Sequence, residues 1–474
     1  MIREDLLFAP ISELAPLVKL RKLSPIDLTQ ACLERLENLG PALGAVVTIT
    51  RERALAQAHR ANQEILAGKY RGPLHGIPYG AKDVLATRGI PTTWGAEPLR
   101  DQVLDLDATV VQRLEEAGAV LVAKLAMVEL AGAFGYDNPD ASFTGPCRSP
   151  WNTDFWSGGS SSGSAAAVAA GLVPFAIGSE TSGSILTPCA YSGVSGLRPT
   201  YGRVSRHGAM ALSWSLDKVG PICRSATDCA LVLAAIAGAD EHDPTTEGLP
   251  PLKTAALPKV PRIGVLRDAT AGADPEVAAN FEHSLEVLSG FARVERDVRF
   301  PDLPWGAAVG VIVDAEGASA FRDFIESGKT RQLRAKADRT GAYAGLMTLA
   351  VDYLEAMRTR VPMRAALDGL LARYDAVVAP TRLGVAPPIG HDFDKPPKPR
   401  PKLPEGAPKP PATIPAGNLA GVPALCVPNG FGAEGLPTSL QFLGAAFSES
   451  ALVALAERFQ AETDWHRRRP PTPR

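Results

Sequence analysis

The residues with most capacity for chemistry lie between 151 and 199, in WNTDFWSGGSSSGSAAAVAAGLVPFAIGSETSGSILTPCAYSGVSGLRPT. Here a turn, Glu180-Thr181-Ser182-Gly183-Ser184, follows an apolar run that reads as a strand. Its small residues let successive backbone N–H groups face one point, which is what stabilising an oxyanion requires. A serine at that place attacks a carbonyl carbon if a neighbour takes its proton. Three simpler roles for the Gly/Ser cluster account for less. A flexible linker would not run straight into an Ala-rich helix and an apolar strand. A phosphate loop needs GxxxxGK[ST], and no lysine follows. A helix cap by one serine explains the first turn and leaves the second unexplained. No GxSxG elbow announces a Ser-His-Asp triad. Seven histidines without HExxH, and six cysteines (Cys32, Cys147, Cys189, Cys223, Cys229, Cys426) without CxxC, indicate neither a metal centre nor another cofactor.

Several motifs in order then define a resemblance. GPLHGIPYGAKDV, GGSSSGSAAAVAAG, GSETSGSI, GVSGLRPTYGRVS, NLAGVPALCVPNGF and GLPTSLQFLG together resemble the amidase signature family over about residues 10 to 470. The resemblance implies hydrolysis of an amide-type C–N bond by three residues: Ser184 as nucleophile, Ser160 as proton relay and Lys82 as base. Ser160 and Ser184 stand 24 positions apart, the family's usual spacing. Three consecutive serines leave the relay open to misassignment by one place; the spacing favours Ser160, with Ser161 a further hydrogen-bonding neighbour of Lys82. The resemblance also implies a cis peptide bond between Gly159 and Ser160, and oxyanion donors among the N–H groups of Thr181, Ser182, Gly183 and Ser184. Lys82 must be neutral to take a proton, which demands burial away from carboxylates. Asp83 reads as a structural partner rather than a base.

The turn departs from the family's commonest form, DTGGSIR. Glu180 replaces the Asp, Ser182 the first Gly, and Leu186 stands where an Arg often sits. In relatives that Asp and Arg commonly interact, so the differences read as one coupled change. They place in question whether Ser182 must adopt a glycine-like backbone. Trp156, Phe134, Tyr136 and Phe155 either pack in the core or line a pocket. In the second case they favour an aromatic or long apolar substrate group.

The elements that must hold these residues read as an α/β fold: a mixed, mostly parallel central sheet with helices on both faces. Ser24-Pro25 marks a helix start, followed by Leu28, Cys32, Leu36 and Leu39 at helical spacing. A second helix runs over about 51–66. Further helices are expected at 107–117, 163–171, 275–289, 306–326 and 344–373, with strands at 119–124, 172–178, 262–266, 292–298 and 376–380. Residues 1–70 form a helical segment packing on a catalytic domain over 71–474. Its proline-rich excursion, 387–411, is either a solvated loop or a flap over the site.

With 474 residues, 45% hydrophobic and 21% charged, the chain has ample material for a core, and its net charge of −2 suggests neither a nucleic-acid nor a membrane partner. The cysteine usage and the absence of a secretory signal or long apolar run point to a cytoplasmic protein, with monomer and homodimer both left open. The expected substrate is a small-molecule amide, anilide or carbamate. The alternative is the glutaminase A-type subunit of a tRNA-dependent amidotransferase, on the same scaffold; a non-catalytic relative is disfavoured by the presence of all three catalytic residue types.

Overall fold

Ser24 accepts hydrogen bonds from the N–H groups of Ile26 and Asp27 and so starts the helix Pro25–Leu43, with Pro25 in its first turn. Gly44, in the left-handed region at φ 59°, ends it. This and the helices below belong to a computed structural model that describes residues 2–252, 257–393 and 408–472.

Among the described residues eleven strands form one sheet: β1 (Val46–Ile49), β2 (Pro78–Lys82), β3 (Val120–Leu125), β4 (Phe175–Glu180), β5 (Ser195–Arg198), β6 (Lys218–Cys223), β7 (Arg262–Leu266), β8 (Arg293–Val298), β9 (Ala376–Pro380), β10 (Ala424–Phe431) and β11 (Pro437–Leu443). Their order is β1-β3-β2-β4-β6-β5-β10-β11-β9-β7-β8. The helices cover the sheet, as an α/β fold requires. The balance of directions differs from the expected parallel majority: four pairings are parallel and six antiparallel. The parallel pairs, β3-β2-β4 and β8-β7-β9, lie toward the two ends, where helical connections return the chain. Between them the middle is antiparallel, closed by the β10–β11 hairpin.

The site depends on the first of these parallel groups. Every residue of β2 and β3 is buried, and the run Val120-Leu121-Val122-Ala123 is apolar throughout, as suits a strand covered on both faces. The helix Ser162–Ala169 is wholly buried against this group, and alanine at four of its eight positions lets it approach closely. At Gly163 a Cβ would stand 2.3 Å from the Ala45 carbonyl oxygen and 2.5 Å from the Ala126 nitrogen, so the close approach requires glycine.

The first 70 residues supply four helices and also the edge strand β1, which pairs antiparallel with β3. Asp228 fastens this segment: its carboxylate accepts from the N–H groups of Ile11 (2.8 Å) and Ser12 (3.1 Å), at the first turn of the helix Ile11–Lys19. All six cysteines are buried and unpaired. Among the described residues no helix is long and apolar enough to cross a membrane. Of the proline-rich excursion 387–411, expected as either a solvated loop or a flap, 394–407 lie outside the described residues.

Candidate active site

Lys82 is the last residue of β2 and is completely buried. Its Nζ donates to Ser160 Oγ at 2.7 Å and to Ser179 Oγ at 2.9 Å. Burial pushes the ammonium down to about 7, while the carboxylates of Asp217 and Glu180 pull the other way. Burial thus favours the neutral amine that a base requires. Ser160 follows Gly159 through a cis peptide bond, just ahead of the helix Ser162–Ala169. The next N–H, that of Ser161, donates to the Ser184 carbonyl at 3.2 Å and ties the two serine-bearing turns together. Ser161 itself does not reach Lys82: its hydroxyl is buried, donates to the Ser179 carbonyl at 3.1 Å and accepts from the Ser179 N–H at 3.3 Å. The strand end that presents Ser179 to Lys82 is thereby fixed from behind.

Ser184 sits between β4 and the helix Leu186–Ser192, half-buried. The left-handed position in the turn is Gly183, at φ 91°, and Ser182 has no positive φ. A side chain at 182 therefore meets no backbone penalty, which resolves the question raised by its departure from glycine. Among the described residues, no protein group accepts from the N–H groups of Ser182, Gly183 or Ser184. The turn is held from both ends. Thr181 Oγ1 donates to Asp217 at 2.6 Å. Glu180, fully buried, accepts from the N–H groups of Ile185 (2.9 Å) and Leu186 (3.0 Å) with one oxygen, and from Arg198 (3.1 Å) and Asn418 (2.7 Å) with the other. Burial works to raise the Glu180 carboxyl, but the Arg198 charge and these donors override it and hold it below its ordinary value. The cation missing at position 186 thus arrives from β5.

A cavity of about 1020 Å³ opens on Thr181, Ser182 and Ser184. Tyr136, Phe155, Trp156 and Phe393 wall it; Trp156 is within 5.1 Å of the Phe393 ring and 6.1 Å of the Tyr136 ring, centre to centre. Phe134 is not part of this wall: it packs edge-on against Phe321, 5.6 Å away, because the chain turns at Gly135 and sends neighbouring aromatics to different places. Arg382 is the cavity's cation, with its Nε on the Tyr191 hydroxyl at 3.2 Å.

The family model described as Amidase matches residues 27–453. The chain belongs to the amidase family. It is a C–N bond-directed enzyme scaffold over nearly its whole length. This amidase-family chain is 37% identical to the A subunit of the glutamyl-tRNA(Gln) amidotransferase of Moorella thermoacetica, covering 98% of this chain and 99% of that one. Among solved structures it is similar to the native peptide amidase of Stenotrophomonas maltophilia (TM-score 0.83, 32% identity, 98% of each chain). It is likewise similar to the A subunit of the glutamyl-tRNA(Gln) amidotransferase of Thermotoga maritima (TM-score 0.77, 30% identity, 98% of this chain and 96% of that one).

Three residues of the candidate site were not singled out from the sequence: Ser179, Arg198 and Asn418. Arg198 and Asn418 lie inside two motifs of the family resemblance, GVSGLRPT and NLAGVPAL, but nothing in their spacing shows that both reach Glu180. Asp83 does prove structural, pairing with Lys124 at 2.9 Å and accepting from the Thr93 N–H at 2.9 Å.

Proposed function

We propose that this amidase-family enzyme hydrolyses a small-molecule amide, anilide or carbamate through an acyl-enzyme on Ser184. Neutral Lys82 takes the Ser160 proton as Ser160 takes that of Ser184. The Ser184 oxygen attacks the carbonyl carbon, and the N–H groups of Thr181, Ser182, Gly183 and Ser184 receive the oxyanion. The proton returns through Ser160 to the leaving nitrogen, the C–N bond breaks, and an ester to Ser184 remains. Water, losing its proton to the same relay, releases the acid; a carbamate releases a carbamic acid that loses carbon dioxide. One observation carries this reading: a fully buried lysine, its ammonium disfavoured by that burial, 2.7 Å from a serine whose neighbour is bonded to the Ser184 turn.

The cavity supports the substrate class. Its size and aromatic wall exceed what a single carboxamide side chain fills and suit an aryl or long apolar acyl or amine group. A second reading, the glutaminase subunit of a tRNA-dependent amidotransferase, is favoured by the names of the curated relatives and by Arg382, whose cation could hold a substrate carboxylate. The experiment is a panel of aryl amides, peptide amides, aryl carbamates and glutamine, assayed with purified protein. Turnover of aryl amides or carbamates with negligible glutaminase supports the first reading. Glutaminase that rises with charged tRNA and a co-purifying partner replaces it with the second.

A further inference from the structure

Seven of the twelve large exposed apolar side chains among the described residues lie between Tyr343 and Val361. They gather on and just before the helix Ala350–Leu371, which buries Ala356, Met363, Leu367 and Leu370 on its inner side. Its outer side is exposed, with Val351 at 66%, Leu354 at 56% and Val361 at 70%, and Met347, just before it, at 77%. A groove of about 580 Å³ runs along it, lined by Val351, Leu354, Glu355, Arg358, Thr359 and Pro362. Concentration of this kind marks an interaction surface rather than ordinary scatter.

The order of the residues identifies what fits. The six positions are symmetric about the point midway between Glu355 and Arg358, with apolar residues outermost and opposite charges at the centre. Neither charge has an ion-pair partner among the described residues, although Arg364 and Asp368 pair two turns on. We propose that a second copy of this chain docks here, its helix antiparallel to the first about a two-fold axis at that midpoint. In a two-fold contact residue i meets j and j meets i. Glu355 then meets the partner's Arg358, and Val351 meets the partner's Pro362, each twice over. A membrane fits less well, because the helix carries three acidic and three basic residues rather than the basic excess that anionic lipid selects.

The test is sedimentation of the full chain over a micromolar concentration range, with melting curves to verify folding. The wild type is expected to dimerise. Glu355→Arg and Arg358→Glu each set like charges together twice and should weaken the dimer by about tenfold or more. The double exchange, Glu355→Arg with Arg358→Glu, re-creates both pairs and should restore it. Leu354→Asp should leave a folded monomer. A wild type that stays monomeric, a dimer indifferent to all these changes, or flotation of the helix-dependent kind with phosphatidylserine vesicles in place of dimerisation would overturn the proposal.

Discussion

In the proposed relay Lys82 works only without its proton, so activity must follow its titration. Since burial brings it to about 7, kcat/KM for a neutral amide should climb through that pH and level off above it. A profile flat from acid to alkaline pH would exclude lysine ionisation from the rate. The Asp217 carboxylate raises Lys82, so Asp217→Asn should move the rise to lower pH, with some loss of stability because one amide oxygen cannot replace both acceptors used by Thr181 and by the Leu212 and Ser213 N–H groups. Lys82→Ala should lower kcat by about 10²–10⁴-fold with the fold intact. Lys82, Ser160 and Ser184 were singled out through motifs that resemble the family's, and the structure brings Lys82 Nζ to Ser160 Oγ and joins the two serine-bearing turns through the Ser161 N–H. Ser179 was not: a serine at a strand end has many uses, and only the three-dimensional approach of β4 to β2 assigns it to Lys82. Phe134 and Tyr136 look equivalent in sequence and diverge at a single turn.

At the scale of elements, the turn that bears Ser184 is held by a buried ion pair reaching across the sheet from β4 to β5. Replacing Arg198 with Met leaves Glu180 buried without its cation, which costs about 3–5 kcal/mol and should loosen the turn. Thermal melts should show a large drop together with a fall in kcat, whereas Ser184→Ala should lose activity at nearly unchanged stability. An Arg198→Met protein as stable and active as wild type would show that the Asn418 and backbone donors suffice. Asp228 makes the opposite case: Asp228→Ala frees the start of the helix Ile11–Lys19, should cost about 0.5–2 kcal/mol, and should leave kcat alone. Apolar runs bounded by turn residues, such as β7 at 262–266 and β9 at 376–380, were readable as strands from pattern. β1, β5, β2, β6, β10 and β11 were not: β1 and β5 have four residues each, too few for periodicity to register, and the other four carry Pro78, Pro221, Pro428 and Pro437, which read as turn signals. Direction is also absent from pattern, which is why the antiparallel middle emerged only from the pairing itself.

Taken as a whole, the molecule as proposed sets a proton relay beside a wide aromatic cavity and assigns chemistry and substrate choice to different parts. Trp156→Ala should therefore raise KM for aryl substrates while leaving the rate of acylation by a small acyl donor close to wild type; an equal loss for both would place Trp156 in support of the turn instead. The relay is tested most directly by reaction with an aryl fluorophosphonate, followed by intact-protein and peptide mass spectrometry across a pH series. The account predicts a single adduct on Ser184, formed at a rate that rises through the Lys82 titration and slows by at least about 10²-fold in Lys82→Ala. An adduct on another residue, or undiminished labelling of Ser184 in folded Lys82→Ala, would contradict it.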